Sequence, residues 1–79
     1  MIEWRVAFPP GWSDGDYRAA FADLTARLLG SGLPIPHAEP SAVAPSRYFV
    51  NADAAQADRV RAVAFAWLRD HRITLVIDG

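Results

Sequence analysis

The chain has 79 residues, 52% apolar and 22% charged, with a net charge of −1 and no cysteine. This length fits one domain spanning 1–79. The near-zero charge argues against direct nucleic-acid binding by bulk electrostatics, and the missing thiols exclude disulfides and thiolate metal sites.

No run approaches the ~20 apolar residues of a membrane helix. The start, Met1-Ile2-Glu3-Trp4-Arg5, lacks the basic and apolar segments of a secretion signal, so no membrane partner and a cytoplasmic location are expected. A core this small supplies about 3–5 kcal/mol of net stability. A homodimer is therefore one expected source of more.

Residues 2–8, IEWRVAF, alternate strictly. Ile2, Trp4, Val6 and Phe8 would point one way, and Glu3, Arg5 and Ala7 the other, as in a strand with one buried face. Pro9-Pro10-Gly11 ends it, since proline cannot donate to a ladder. A helix follows, capped by Ser13 or Asp14, with Asp16 favoured by the dipole in the first turn. Tyr17, Ala20, Phe21, Leu24 and Leu28 fall on one side at helical spacing. Asp23 and Arg27 are set to pair four residues apart. Gly30 and Gly32 would supply left-handed stops.

The next stretch, GLPIPHAEPSAVAPSRY, carries Pro34, Pro36, Pro40 and Pro45. A structureless loop of that length is rare inside a compact domain. It is read instead as a weak edge strand over 33–39, with the donors missing at Pro34 and Pro36 facing one edge. A stiff connection through Pro40 and Pro45 then leads to a strand at 46–51, rich in aromatic and β-branched residues. Asn51 or Asp53 would cap a second helix over 54–70, with Val60, Val63, Ala64, Trp67 and Leu68 as its apolar stripe. His71 would extend that stripe. The chain closes with a strand at 72–78, with Ile73, Leu75 and Ile77 inward and Thr74 and Val76 outward.

The expected fold is therefore α/β, more closely an α+β two-layer sandwich. Its order would be ferredoxin-like, βαββαβ. If the proline-rich stretch stays unpaired, it becomes a three-stranded βαβαβ variant.

Motifs that carry chemistry are scarce. His37 and Glu39 share a face of an extended segment, and with His71 would make a His₂Glu set. Two histidines are an ordinary count, however, and an imidazolium at a helix end suits the dipole, so no metal is expected. Ser13-Asp14-Gly15-Asp16 is too short for a calcium loop, and helix capping accounts for it. The glycines of PPGWSDGD lie where a phosphate loop would, but Asp14 and Asp16 repel an anion. No nucleophile and base are brought together. No catalytic, cofactor-binding or metal-ligating residue is assigned, no cofactor is expected, and the protein is read as a non-enzyme.

Binding surfaces are better supplied. The outer sheet face would present Glu3, Arg5, Arg47, Phe49, Thr74 and Val76, and arginine beside an aromatic can stack single-stranded bases. Trp12 lies in a loop outside the core pattern. Phe65 falls about 140° around its helix from the apolar stripe, near Asp58 and Arg61, and exposed aromatics beside arginine are enriched at interface hot spots. The acids Asp14, Asp16, Asp23, Asp53 and Asp58 are candidates for meeting a basic, nucleic-acid-binding surface. The candidate partner-binding residues are thus Trp12, Asp14, Asp16, Arg47, Phe49, Asp58, Arg61 and Phe65.

These features lead to the expectation of a small, free-standing, non-catalytic binder that inhibits or regulates a larger protein or nucleoprotein complex. Phage-encoded anti-CRISPR proteins and toxin immunity proteins work this way, and the analogy is one of size class, not of motif. The alternatives are a nucleic-acid-binding module using Arg5, Arg47 and Phe49, and a ferredoxin-like small-ligand or enzymatic domain with its site at a dimer interface, which a ligand in a pocket beside residues 9–16 would favour.

Overall fold

A computed structural model describes residues 2–43, 46–73 and 75–78, the last four as backbone. Strand β1 (Ile2–Ala7) leads into helix α1 (Asp14–Leu29). Strands β2 (His37–Pro40) and β3 (Arg47–Asn51) follow, then a short 3-10 turn at Ala54–Gln56. Helix α2 (Ala57–His71) and strand β4 (Leu75–Asp78) complete the chain. The result is a small α+β protein, an antiparallel sheet with two helices. The sheet order is β2-β3-β1-β4.

The alternation in β1 does what period 2 requires. Trp4 and Val6 are buried while Arg5 and Ala7 are exposed. Ser13 caps α1 in a reciprocal box. Its backbone N–H donates to Asp16 Oδ2 at 2.8 Å, and its hydroxyl accepts from Asp16 N–H at 3.3 Å. Such a cap is worth about 1 kcal/mol. The stripe Ala20, Phe21, Leu24 and Leu28 is buried as its spacing predicts.

The stop of α1 differs from expectation at one glycine. Gly30 stays right-handed, at φ −86, and only Gly32 has the left-handed φ of +79. Gly30 serves close approach instead: a Cβ there would meet the Ala26 carbonyl oxygen at 2.9 Å.

The proline-rich stretch does pair with the sheet, but further along than expected. Strand β2 starts at residue 37, because 33–36 are used in a turn in which Ile35 N–H bonds Leu33 O at 2.8 Å. Ala38 lies opposite Val50, and Pro40 opposite Tyr48. Ser41 N–H donates to Arg47 O at 2.9 Å. An antiparallel ladder alternates bonded and non-bonded pairs, so positions 38 and 40 turn their backbone groups away from β3. Within the strand the donor removed from the outer edge is thus that of Pro40; Pro36, of the same parity, lies just before the strand, and Pro34 earlier in the turn. Pro45 lies outside the described residues.

Asp53 precedes the 3-10 turn without a side-chain cap, which delays α2 to Ala57. Val60, Ala64 and Trp67 are buried, with Val63 and Leu68 packed against the core. Trp67 Nε1–H donates to Ala20 O at 2.7 Å, tying α2 to α1. The expected strand at 72–78 starts late as well. Arg72 takes a left-handed φ of 57 and donates its N–H to Arg69 O at 3.3 Å, while Ile73 N–H reaches Leu68 O at 2.8 Å. This is a Schellman closure with arginine in the usual glycine place. Val76 pairs in register with Val6, and Ile77 with Arg5. The expected phase set Ile77, not Val76, in the row of Val6, and the register places them the other way round. Thr74 lies outside the described residues.

Trp4, Val6, Tyr48, Val50, Phe21, Leu24 and Trp67 sit in one buried cluster between the helices and the sheet. Burying each aliphatic side chain contributes about 1.5–3 kcal/mol before entropy. Tyr48 stands beside Trp4 and Phe21, with ring centroids 6.2 and 5.2 Å away. The other sheet face, carrying the exposed Arg5, Ala7, His37, Glu39 and Asn51, is left open.

Candidate functional site

Three surfaces divide the candidate residues among them. The first is the outer side of α2. Phe65 is 57% exposed there, since α2 meets the core through residues on its other side. Arg61 lies one turn before Phe65 and Arg69 one turn after, so all three share a stripe. Arg61 Nη1 is 3.4 Å from Asp58 Oδ1, and the Asp58 side chain is 98% exposed. Arg69 Nε lies 3.6 Å from Asp70 Oδ1. Arg69 was legible from its four-residue spacing to Phe65 but is absent from the sequence-based set.

The second surface is the open sheet face. Register sets Glu3, Phe49 and Glu39 in one transverse row across β1, β3 and β2. Arg5 and Arg47 are directly opposite in the next row. Arg47 Nη1 leans back to Glu3 Oε1 at 3.4 Å. His37 Nε2 lies 3.1 Å from Glu39 Oε1. Phe49 is half-buried in this setting. The ring suited to stacking a base is therefore bracketed by two carboxylates.

The third is a groove of about 330 Å³ between the start of α1 and the end of β2, lined by Asp14, Tyr17, Arg18, Phe21 and Pro40 to Val43. Its size is at the low end for ligand sites. Val43 at its rim is 92% exposed, a feature hidden in the aperiodic proline-rich stretch. Trp12 does not stand free beside it. Its half-buried ring packs on Phe8 at 5.2 Å and Tyr17 at 6.2 Å. Asp16 is engaged in the α1 cap.

Away from these surfaces, α1 and α2 share a polar seam. Arg27 Nε is 2.9 Å from Asp23 Oδ2, and Arg27 Nη1 is 2.8 Å from Asp70 Oδ2. His71 Nε2 donates to Asp23 Oδ2 at 2.7 Å. The hydrogen bond from His71 holds the Asp23 carboxyl below its ordinary value, helped by Arg27 against a smaller opposing effect of burial. Arg27 does the same for Asp70. His71 is thereby committed to Asp23 rather than to His37 and Glu39. Among the described residues no three metal-ligating side chains come together. No helix among them is long and apolar enough to cross a membrane.

The chain matches no protein-family model. Comparison with curated proteins and with solved structures likewise found no match.

Proposed function

We propose that this chain is a non-catalytic binding protein of ferredoxin-like architecture that inhibits or regulates a larger protein assembly, docking through the outer side of α2. The strand order β2-β3-β1-β4 with antiparallel neighbours supports the architecture. The docking face rests on one observation: Phe65 is 57% exposed on a helix whose core contacts are already made by Val60, Ala64 and Trp67. An aromatic held out on a rigid helix with arginine on either side has the composition of an interface hot spot.

The partner surface that fits is an apolar pocket bordered by carboxylates. Residues 57–72 carry four of the chain's eight arginines, Arg59, Arg61, Arg69 and Arg72, against Asp58 and Asp70 alone. This moves the charged contact from the acids to the arginines. Of the acids singled out by sequence, Asp16 serves the α1 cap, Asp23 the helix seam, and Asp58 lies beside Arg61. The row Glu39–Phe49–Glu3 weighs against stacking nucleic acid on the sheet, because its carboxylates repel phosphate.

Affinity capture from a lysate of the source cells tests the reading. The wild-type chain is expected to retain one assembly, and Phe65→Ala to weaken that retention at least tenfold while keeping the native circular dichroism. Undiminished retention by Phe65→Ala would move the docking face elsewhere. A wild-type chain that retains nothing specific would end the binding reading altogether.

A further inference from the structure

We propose that the open face of the sheet binds a second copy of this chain, forming a two-fold dimer. The inference goes beyond the use of α2 and does not depend on it. It starts from an awkward pairing. Arg5 and Arg47 are directly opposite on β1 and β3, and like charges in that position repel. The neighbouring row holds the opposite sign, with Glu3 and Glu39 flanking Phe49. Arg47 relieves part of the repulsion by leaning to Glu3, but at 3.4 Å, and Glu3 Oε1 receives no hydrogen bond within the described residues.

An acidic row beside a basic row is self-complementary. Consider a two-fold axis lying between two stacked sheets and running between these rows. Rotation lays each acidic row over the other copy's basic row and leaves every strand facing its own equivalent. Glu3 of one copy then meets Arg5 of the other, and Arg5 meets Glu3. Phe49 meets Arg47 in the same reciprocal way, a cation–π arrangement. Stacked sheets sit ~10 Å apart, within the reach of Glu and Arg from both sides. The contact is isologous and closes at two copies. Apart from Phe49 it is built from charge, so it weakens with salt.

Sedimentation equilibrium tests this. At low ionic strength the wild-type chain is expected to weigh twice its 8.7 kDa, and to revert to monomer in 1 M NaCl. Arg5→Glu alone and Glu3→Arg alone are each expected to be monomeric, through repulsion between copies. Mixed in equal amounts, the two variants are expected to form a heterodimer. One chain then carries carboxylates at both positions 3 and 5, the other guanidinium groups at both, and the two sets face each other. That rescue also shows that both variants are folded. A wild-type chain that stays monomeric at low salt and high concentration would overturn the proposal. So would variants that dimerise alone or fail to pair when mixed. A salt-sensitive complex with a single-stranded oligonucleotide, formed by a chain that stays monomeric on its own, would overturn it in favour of a nucleic-acid face.

Discussion

His71 Nε2 lies 2.7 Å from Asp23 Oδ2, across 48 positions of sequence, and joins the last turn of α2 to the middle of α1. Arg27 binds the same carboxylate oxygen and reaches on to Asp70. Four side chains thus bridge the two helices on the edge of their apolar contact.

The bridge has a pH signature. Asp23 and Asp70 both titrate below their ordinary value when folded. Their contribution is complete above the unfolded value of about 3.9. It is lost as pH falls through the lower folded value. Asp23→Asn is expected to cost up to about 1 kcal/mol at pH 7, the scale of partly exposed ion pairs. The gap between variant and wild type should narrow below pH 4. Urea unfolding at pH 7 and pH 3 measures both.

Tyr48 sets the opposite limit. Its hydroxyl pairs with Thr25 Oγ1, whose own proton goes to Phe21 O at 3.0 Å. The phenol must therefore be the donor. Burial raises its pKa, and the Glu39 carboxylate pushes in the same direction. Its contribution holds below the unfolded value of about 10 and is lost as pH rises through the higher folded value. Tyr48→Phe is expected to cost about 1 kcal/mol at neutral pH. It should also flatten the loss of stability above pH 10, where no lysine or cysteine titrates in this chain. Thermal unfolding across that range distinguishes the two.

Arg72 stands at a φ of 57, a conformation that costs a side chain about 1–2 kcal/mol. Among the described residues its hydrogen bond runs from its backbone N–H to Arg69 O, so glycine keeps it. Arg72→Gly is expected to raise stability by about 1 kcal/mol, read as a higher urea midpoint with unchanged slope. A fall in stability would mean that the guanidinium makes a contact worth more than the strain.

Pro36 and Pro40 guard the β2 edge. Replacing both with threonine would restore donors on either side of Ala38 and present a continuous ladder to neighbouring chains. The double variant is expected to scatter light and bind thioflavin T during incubation at 37 °C, while each single variant stays clear. A clear double variant would show that the edge is protected by something other than missing donors.

Much of this architecture can be read from pattern. Trp4 and Val6 against Arg5 and Ala7 is period 2, and the Ala20–Leu28 stripe is a helical face closed by a visible capping box. Where reading fails, the cause is local. Gly30 has the residue type of a left-handed stop, but its need is room beside the Ala26 carbonyl, which no pattern reports. Arg72 carries no sign of positive φ, because the backbone bonds that close α2 impose it. Among the candidate surfaces, Phe65 is exposed, a question that helical angle alone left open. Trp12 is not free, since its partners Phe8 and Tyr17 come from elements on either side of its loop. The row formed by Glu3, Phe49 and Glu39 depends on the register of three strands, which pattern does not fix.

The missing donors at Pro36 and Pro40 also bear on how large an assembly of this chain can grow. Contact by strand addition passes an unused edge to the next molecule and can continue without limit. Contact by stacking one sheet face on its own copy uses up both surfaces and ends. With only the Ala38 N–H left between these prolines on the β2 edge, growth on that side is discouraged, and association is steered toward finite complexes.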